Sequence, residues 1–375
     1  MKKMLMIASV PSMIGQFNMN NIQILINLGF EVEVACDWGD RSVWTDEKVN
    51  DLKEKLNALD VIYHQIDYSR SPFSIGCHIK SYKQTLKLLR ENSYEFVHCH
   101  TPIASAVTRL ACKKTNTKCI YTAHGFHFYK GAPIKNWIIF YPIEKWLSKY
   151  TDILITINKE DYNRAKEKFK MKQLEYVPGV GIDISKFQIK NFNRDEYRSR
   201  LGLKSDDFVI LSVGELNKNK NHEIVINAIA KLGYSNIKYL IAGQGDLDRY
   251  LIELANHLGI GDKVNILGFR KDIPELLNSS DLYILPSLRE GLNVSLLEAM
   301  ASGLPCIGSK IRGNVDLKDV YLFKVNNEED LVSKINSVYQ GRKRISNNSE
   351  LEKFSDKTIN NQLSRIYEKL VVNRD

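Results

Sequence analysis

Short apolar runs rich in β-branched residues recur along the chain, and each is followed by a stretch in which apolar residues have helical spacing. In the first half the runs lie at residues 4–9, 31–36, 61–66, 96–100, 118–124 and 153–158. Near-continuous apolar strands that alternate with amphipathic helices are typical of a parallel sheet with helices on both faces. The pattern therefore predicts an α/β domain built on a parallel sheet.

A segment rich in glycine and proline, residues 176–187, interrupts this pattern and precedes a polar stretch. Such a composition is typical of a hinge between domains. The alternation then restarts with apolar runs at residues 208–214, 237–243, 263–268, 281–287 and 305–310. We therefore expect two Rossmann-like domains, 1–187 and 188–353. A last helical segment, 354–375, has no strand after it, so the pattern alone leaves its placement open.

The composition agrees with two soluble domains. The chain has 375 residues, of which 43% are hydrophobic and 26% charged, enough for two hydrophobic cores. It has no apolar run of about 18 residues, so a transmembrane helix is not expected. The opening MKKMLMIASV has a basic pair before an apolar run. Because Pro11 ends that run early and no small-residue cleavage site follows, a buried first strand is favoured over a signal peptide.

Cysteine content indicates the cellular compartment of the protein, and net charge indicates the classes of partner that it would bind. The six cysteines form no C-x-x-C pair, which argues for a reducing, cytoplasmic compartment and against a disulfide or zinc framework. The formal net charge of +9 favours acidic partners, namely nucleic acid, anionic lipid or phosphorylated ligands. The sequence has no helix-turn-helix, zinc-finger or RRM pattern, so nucleic acid ranks below the other two.

The loops that follow the strands hold the candidate site residues, because ligands of open parallel sheets bind beyond the carboxyl ends of the strands. After the run 208–214, Gly214 allows a tight turn, and Lys218 and Lys220 precede a helix start. Two cations beside outward-pointing backbone N–H groups suit a diphosphate. The sequence equally allows a solvated surface turn.

The next two strands end in loops with weaker indications. Asp246 and Asp248 form a D-x-D pair that could hold a divalent metal, but the position of Asp246 favours a helix N-cap. The following strand precedes Phe269 and Arg270, which could border a nucleotide base. A turn that opens a helix at Asp272 is the alternative.

The segment 289–299, REGLNVSLLEA, holds two glutamates. Glu290 lies in the loop after an apolar strand, and Glu298 lies in the helix that follows. The S-x-x-E spacing allows a capping box, in which the Glu298 side chain accepts a hydrogen bond from the backbone N–H of Ser295. The alternative is a ligand clamp, in which both carboxylates bind hydroxyl groups and the helix N-terminus between them attracts a phosphate.

Histidines mark the corresponding edge of the first domain. His124 stands at the carboxyl end of a strand beside a glycine, which suits a catalytic or hydroxyl-binding imidazole, with a structural role as the alternative. His98 and His100 share one face of the preceding strand; we expect His98 to be buried and His100 to lie nearer the ligand. Residues 135–150 mix aromatic and basic side chains, which suits a water–lipid interface or core packing, and Pro142 is expected to kink that helix.

Several of these segments together resemble a known family. They are HCHTP (98–102), YTAHGFHFYKGAP (121–133), VPGVGID (177–183), VGELNKNKNH (213–222) and REGLNVSLLEAMASGLP (289–305). The chain resembles glycosyltransferase family 4, retaining enzymes with the GT-B fold, and specifically the bacterial members that build capsular polysaccharide or exopolysaccharide. The resemblance covers nearly the whole chain to about residue 320, and the two glutamates of the last segment are its most specific feature. It implies two Rossmann-like domains that face a central cleft.

The resemblance implies roles at the donor sugar and the acceptor. Glu290 would hold the hydroxyl groups of the donor sugar, and His124 would sit against the same sugar; these two are the catalytic candidates. His100 and His127 are the candidates on the acceptor side, in the first domain. The last helical segment would pack back on that domain.

The resemblance also implies how the nucleotide is held. Glu298 would bind the ribose hydroxyl groups, Lys220 would contact the diphosphate, and Phe269 and Arg270 would border the base. The other donor-binding candidates are Gly15, Gly214, Lys218, Leu292, Asn293 and Val294. One departure weakens the phosphate contacts: the family commonly has an arginine five residues before the lysine, where this chain has Glu215. Either Lys218 compensates, or Glu215 turns away.

The expected function is that of a metal-independent retaining glycosyltransferase that uses a nucleotide sugar. A UDP-sugar is favoured, with the UDP-N-acetylhexosamines among the candidates. Positive charge beside the leaving diphosphate would stabilise it without a metal ion. The expected acceptor is a growing oligosaccharide on a polyprenyl diphosphate at the inner face of the membrane. Peripheral contact with an anionic membrane is a further hypothesis, and no nucleic-acid partner is expected.

Two other functions compete with this one. A nucleotide-sugar epimerase of GT-B type would share the fold but not the segments 121–133 and 289–305. A non-catalytic scaffold that binds membranes or polyanions would rest on the charge and on the aromatic segment alone, and it would bind no nucleotide.

Overall fold

The chain consists of two compact units. The computed structural model describes residues 2–341 and 350–372, with side chains to residue 370. One unit comprises Met1–Val180 and Lys357–Asp375, and the other comprises Gly181–Asp356. The sequence placed these divisions after residues 187 and 353. Each unit has its own parallel sheet and its own core, which confirms the α/β class expected from the strand pattern.

Seven parallel strands form the sheet of the first unit: β1 (Lys2–Ile7), β2 (Phe30–Cys36), β3 (Ile62–Gln65), β4 (Tyr94–His100), β5 (Lys118–Ala123), β6 (Ile153–Thr156) and β7 (Gln173–Tyr176). Their spatial order is β3-β2-β1-β4-β5-β6-β7. The helices between them are α1 (Pro11–Phe17), α2 (Met19–Asn27), α3 (Asp46–Asn57), α4 (Ile75–Glu91), α5 (Pro102–Thr115), α6 (Ile134–Leu147) and α7 (Lys159–Lys168).

The apolar pattern found six of these seven strands. Strands β1, β4 and β5 are almost entirely buried because helices cover both faces of the sheet, so nearly every position is apolar. Strand β7 was not predicted. It lies at the sheet edge, its sequence is QLEY, and all four residues are only half-buried, so it has no apolar run.

Six parallel strands form the sheet of the second unit: β8 (Phe208–Val213), β9 (Ile237–Ala242), β10 (Val264–Gly268), β11 (Leu282–Leu285), β12 (Cys306–Ser309) and β13 (Val320–Phe323). Their order is β10-β9-β8-β11-β12-β13. The helices are α8 (Arg194–Arg200), α9 (His222–Leu232), α10 (Asp248–His257), α11 (Ile273–Ser279), α12 (Val294–Ala301) and α13 (Glu328–Gly341). Only β13, a four-residue edge strand, was not predicted.

The helix that the pattern could not place is α14 (Asp356–Val372). It packs on the sheet of the first unit, where Ile359, Leu363 and Ile366 join the apolar core. The Tyr367 ring stacks on Phe96 at a centroid distance of 5.9 Å, and its hydroxyl is 2.9 Å from His98 Nδ1. Helix α14 therefore contributes to the core of the first unit.

Both sheets reverse their strand order at one point. In the first unit the chain winds outward in one direction from β1 and in the other from β4; in the second unit the corresponding pair is β8 and β11. A crevice forms beyond the carboxyl ends of such a pair, because the loops after the two strands turn away from each other. These two switch points are the places to look for ligand-binding side chains.

Candidate active site

The switch point of the second unit brings Lys220 and Glu290 together. Lys220 Nζ lies 2.7 Å from Glu290 Oε1, and the two side chains are 16% and 15% exposed. The Lys220 stem runs past Gly214, where an added Cβ would lie 3.1 Å from Lys220 Cε. The loops are joined by the backbone, since Leu288 N donates to Asn219 O at 2.8 Å. The two residues assigned by resemblance to the diphosphate and the donor sugar are thus each other's partners in the structure without ligand.

Glu298 lies on α12 and is only partly exposed. Burial raises the pKa of its carboxyl group above the usual value, and the positive charge of Lys186 offsets part of that rise. Among the described residues, no group donates a hydrogen bond to this carboxylate. Its oxygens are not among the fully buried atoms that lack a partner, so they are accessible to a donor from a ligand.

The capping box that the S-x-x-E spacing allowed for Ser295 and Glu298 is not formed. Helix α12 begins at Val294, and its N-cap is Asn293, whose side chain accepts a hydrogen bond from Leu296 N at 3.3 Å. The Ser295 hydroxyl instead lies 2.6 Å from the Tyr283 hydroxyl. The S-x-x-E pattern misled because Asn293, two residues earlier, is an equally good cap and takes that place. Glu298 is left without a capping role.

The loop that carries Glu290 is supported from below by a segment that the sequence did not single out. Arg312 Nε donates to Glu290 O at 3.2 Å, and a Cβ added to Gly313 would lie 2.1 Å from Gly291 O. Only glycine allows that approach. The segment follows β12 at the carboxyl edge of the sheet, and this position would have been the available indication. The backbone amides around Leu292 to Val294, which are predicted to contact the phosphate, come directly after this supported loop, where α12 begins.

The two residues predicted to border the base differ in exposure and in their hydrogen bonds. Phe269 is exposed directly after β10. Arg270 forms two hydrogen bonds with Asp272, at 2.8 and 2.5 Å, and Asp272 also accepts from the Tyr197 hydroxyl at 2.6 Å. Burial alone would raise the pKa of Asp272, but the bonds from Arg270 and Tyr197 outweigh it and lower that pKa. Helix α11 does begin directly after Asp272, as the alternative reading of this turn expected.

Asp246 is not the helix cap that the sequence favoured. Helix α10 begins at Asp248, its N-cap is Leu247, and no side chain caps it. Backbone bonds hold this turn instead, because Leu247 N donates to Leu216 O at 3.0 Å and a Cβ on Gly245 would lie 2.5 Å from the same oxygen. The described residues contain no group of three or more His, Cys, Asp and Glu side chains arranged to hold a metal ion.

Glu215 and Lys218 both lie apart from the Lys220–Glu290 pair. Glu215 is exposed and accepts a hydrogen bond from the Asn217 amide at 2.8 Å. Lys218 is exposed and lines a cavity of about 460 Å³ together with His222, Leu251 and other residues, but without Lys220 or Glu290. Of the two possibilities considered for Glu215, an outward-turned side chain is the one seen here.

The switch point of the first unit holds three histidines in contact. The rings of His98 and His100 are 4.2 Å apart on one face of β4, as strand alternation predicted, and His100 Nδ1 lies 3.1 Å from His124 Nε2. His98 is buried as expected. His100 is as fully buried, and the expectation that it lies nearer the ligand than His98 stays a prediction. A cavity of about 20 Å³ lies beside His100 and His124.

Burial keeps these rings neutral. It lowers the pKa of His98 to about 3 and that of His124 to about 4, and it lowers the pKa of His100 well below the usual value. Only one proton can therefore lie between His100 and His124. His100 Nε2 has no hydrogen-bond partner among the described residues, and an unpaired buried N–H is rare. This favours a proton on His100 Nδ1, so that His124 carries its own proton on Nδ1.

Strained backbone adjoins the histidine cluster. Thr101 follows His100 with φ of 68° and ψ of 139°, a region that β-branched residues seldom adopt. Ser9, at the end of β1, holds it: Ser9 N donates to Thr101 Oγ1 at 3.1 Å, and the two hydroxyl groups are 2.7 Å apart. Such strain concentrates at functional sites. Neither Ser9 nor Thr101 was singled out by the sequence.

Gly15 and His127 occupy other surroundings. Gly15, a donor-binding candidate, lies inside α1, because Pro11 starts a helix there. An added Cβ would lie 2.3 Å from the Trp44 ring, which gives Gly15 a packing role. His127 stacks on Phe140 at a centroid distance of 4.7 Å and lines a cavity that does not include His124.

Comparison with known proteins agrees with this geometry. The family model described as glycosyl transferases group 1 matches residues 193–356, and a glycosyl transferase 4-like model matches residues 17–158. A putative glycosyltransferase of Bacillus subtilis (strain 168), EpsD, is 34% identical over 349 residues, which cover 90% of this chain and 87% of the relative. An Escherichia coli UDP-Gal:alpha-D-GlcNAc-diphosphoundecaprenol alpha-1,3-galactosyltransferase is 30% identical over 267 residues, 68% of this chain and 69% of the relative.

Solved structures show the same fold. The crystal structure of Anabaena HepE in complex with UDP and glucose superposes with a TM-score of 0.77 at 18% identity, covering 98% of this chain and 100% of that one. The carboxylates, lysine and histidines found at the two switch points are those that the family resemblance singled out. The chain belongs to the group 1 glycosyltransferases, family 4, and has the GT-B fold.

Proposed function

We propose that the chain transfers a sugar, with retention of configuration and without a metal ion, from a UDP-sugar to a lipid-linked oligosaccharide during synthesis of a bacterial surface polysaccharide. The observation that carries the donor part is the switch point of the second unit. There a half-buried carboxylate without a donor, Glu298, lies on the helix that follows the Lys220–Glu290 pair.

The nucleotide would be held by three kinds of group. The ribose hydroxyl groups would donate hydrogen bonds to Glu298, whose carboxylate is partly exposed and has no donor among the described residues. The diphosphate would lie at the N-terminus of α12, near Leu292, Asn293 and Val294, where backbone N–H groups favour an anion. The exposed ring of Phe269 would stack on the base, while Arg270 stays with Asp272.

Lys220 would change partners when the donor binds. In the structure its charge is balanced by Glu290 at 2.7 Å. A diphosphate carries more negative charge than one carboxylate, so Lys220 would turn to it and stabilise the leaving group. Glu290 would then be free to accept hydrogen bonds from the donor sugar. In this way one ion pair would keep both groups in place until the donor separates them.

His124 would supply a neutral hydrogen bond to the donor sugar. Its lowered pKa leaves it uncharged near neutral pH, and the proton on Nδ1 inferred above would make that nitrogen a donor. A neutral imidazole suits a hydroxyl group, because it adds no charge that would need a counterion. His100 would act through His124, as a positioning residue.

The acceptor part of the proposal is supported by the E. coli relative, whose name gives a UDP-Gal donor and a diphosphoundecaprenol acceptor. Within residues 2–341 and 350–372, no helix is long and apolar enough to span a bilayer. A lipid-linked acceptor would therefore be reached from the membrane surface, which fits the net charge of +9.

The test combines donor binding and transfer. UDP and a set of UDP-sugars, including the UDP-hexosamines, are screened by thermal shift, and transfer to a glycosylated polyprenyl diphosphate is followed with labelled donor. We expect Glu298→Gln to weaken UDP binding about tenfold. The matched control, Glu253→Gln on an exposed face of α10, should change nothing.

Two outcomes would contradict the proposal. A Glu298→Gln protein that melts earlier but binds UDP normally would assign Glu298 a structural role. Conversion of a UDP-sugar in the absence of acceptor would indicate the GT-B-type epimerase instead. The anomeric configuration of the product, measured by NMR, tests retention directly.

A further inference from the structure

A second cavity, of about 310 Å³, lies in the first unit and is separate from the histidine cluster. Helices α5 and α6 form its walls, and the loop after β5 closes one end. Its lining includes Phe73, Ile103, Ala106, Leu110, Phe128 and Ile139. The volume falls at the lower end of the range of small-molecule sites.

The lining of the cavity is mainly apolar, and the Glu144 carboxylate in it is already paired. Glu144 lines it, but both carboxylate oxygens accept hydrogen bonds from Arg109, at 2.9 and 3.0 Å. Arg109 also lies over the Tyr121 ring, with Cζ 4.4 Å from the centroid. This pair is satisfied within the protein. His78, on α4, also lines the cavity, and neither of its ring nitrogens has a hydrogen-bond partner among the described residues.

The rim of the cavity is unusually apolar for a protein surface. Phe73 is 79% exposed and Ile138 is 68% exposed, and Ile139, Ile143 and Trp146 are exposed as well. Of these residues, Phe73, Ile139 and Ile143 line the cavity, and Ile138 and Trp146 lie on the same helix, α6, which contains Pro142. Exposed apolar residues grouped in this way mark interaction sites.

The chemistry of a prenyl chain with a phosphate head fits this cavity. Its walls carry branched aliphatic and aromatic side chains, and the space is concave, which suits a single chain better than the flat surface of a bilayer. Residues 125–128 also line it, and they continue the loop that begins at His124. Lys130 and Lys135 follow in the chain, are exposed, and supply positive charge for a phosphorylated head.

We propose that this cavity binds the isoprenoid chain of the lipid-linked acceptor, next to its diphosphate. The inference rests on the acceptor class proposed above and adds a site for its lipid part. The isoprenoid chain would cover the exposed residues of α6, and the loop 124–127 would connect the lipid site to the imidazole of His124. The head group would then lie at a defined place relative to that loop.

The experiment compares ligands with and without an apolar chain. Farnesyl diphosphate and inorganic diphosphate are titrated by calorimetry against the full chain and against Ala106→Trp, which fills the cavity. We expect farnesyl diphosphate to bind at least about tenfold more tightly than inorganic diphosphate to the wild type. Ala106→Trp should remove this preference and leave the binding of inorganic diphosphate unchanged.

A second variant, at the protein surface, distinguishes a filled cavity from a misfolded protein. Ile139→Asp places a charge on the rim and should reduce the preference for farnesyl diphosphate severalfold. Ile252→Asp, at an exposed position of α10 in the other unit, is its control and should have no effect. Melting curves of all three variants identify a protein that has not folded.

Three results would overturn the proposal. The first is a wild type that does not prefer farnesyl over inorganic diphosphate. The second is a preference that survives both Ala106→Trp and Ile139→Asp. The third is binding to anionic vesicles, or dimerisation, that Ile139→Asp abolishes while farnesyl diphosphate does not bind. No donor is present in these titrations, so they remain interpretable if UDP-sugar transfer fails.

Discussion

The two switch points have the same topology and different chemistry. In the second unit the crevice between β8 and β11 holds a lysine paired with a glutamate, and a further glutamate follows on α12. In the first unit the corresponding edge holds the buried His98 and His100 and the partly buried His124, whose pKa values are lowered, so they are neutral. The same arrangement of strands thus presents charge in one unit and uncharged hydrogen-bonding groups in the other.

The difference teaches how one fold can divide the work of sugar transfer. An anionic diphosphate needs cations and helix N-termini, and these lie in the second unit. A sugar hydroxyl needs donors and acceptors fixed in position, and a buried, hydrogen-bonded imidazole meets that need without a counterion. Function resides in the side chains that the two sheets present at this edge, and the fold alone does not determine it.

The largest expected effect comes from removing the cation. Lys220→Met should weaken UDP binding about a hundredfold, because the diphosphate loses a charge-assisted bond and Glu290 is left as an unbalanced anion beside it. Calorimetry at low salt measures the effect. Lys231→Met, on α9 of the same unit, is the control. Equal losses in both variants would mean that the contribution is general charge and not this site.

A smaller effect is expected at the neutral switch point. His100→Phe removes the bond to His124 Nε2, and kcat should fall about tenfold with little change in the UDP affinity. His100→Asn can place an amide N–H near the lost donor and should recover part of the rate. His257→Asn, at an exposed position, is the control.

The nitrogen NMR signals of His124 test the positioning role of His100, because they would not change on its substitution if that role were purely structural. In the wild type they should report a neutral ring with the proton on Nδ1. A loss of stability without any change in the tautomer of His124 would contradict the positioning role.

The pH dependence of stability separates the two regions further. The pKa of His98 is lowered to about 3 in the folded chain, while that of an unfolded histidine is about 6.5. Between these values the unfolded state binds more protons, so stability is present above about pH 6.5 and falls as the pH decreases towards 3. The expected loss is about 1.4 kcal/mol per pH unit for this residue.

His98→Gln tests that assignment by urea unfolding between pH 5 and 7. The amide can still bond to Tyr367 and Thr122 but does not titrate, so the slope should decrease by one proton. His257→Gln should leave the slope unchanged. A slope that is the same in wild type and His98→Gln would place the proton uptake elsewhere.

The sequence predicted most of the fold because burial on both faces makes the strands continuously apolar. It missed two four-residue edge strands: β7, whose QLEY sequence is mixed and half-buried, and β13, whose VYLF sequence is apolar but short, with Tyr321 exposed. It predicted the loops that carry the site, because ligands bind where parallel strands end. Local patterns could not decide between competing partners: Asn293 caps α12 instead of Ser295, and Arg270 is held by Asp272.

Long-range contacts were beyond the reach of the sequence pattern. Lys220 and Glu290 are 70 residues apart, and nothing in either segment indicates that they are partners. Arg312 and Gly313 support the Glu290 loop only through the three-dimensional path of the chain. Likewise, His98 contacts Tyr367 of α14, 269 residues later in the chain.

The central claim is that Glu290 restrains Lys220 until a diphosphate replaces it. Calorimetric titration of UDP into wild type and Glu290→Gln tests this most directly, with sugar transfer measured on the same samples. The account predicts that Glu290→Gln binds UDP at least as tightly as the wild type, because Lys220 is released, while transfer falls about a hundredfold or more. A Glu290→Gln protein that folds normally but loses UDP binding would contradict it.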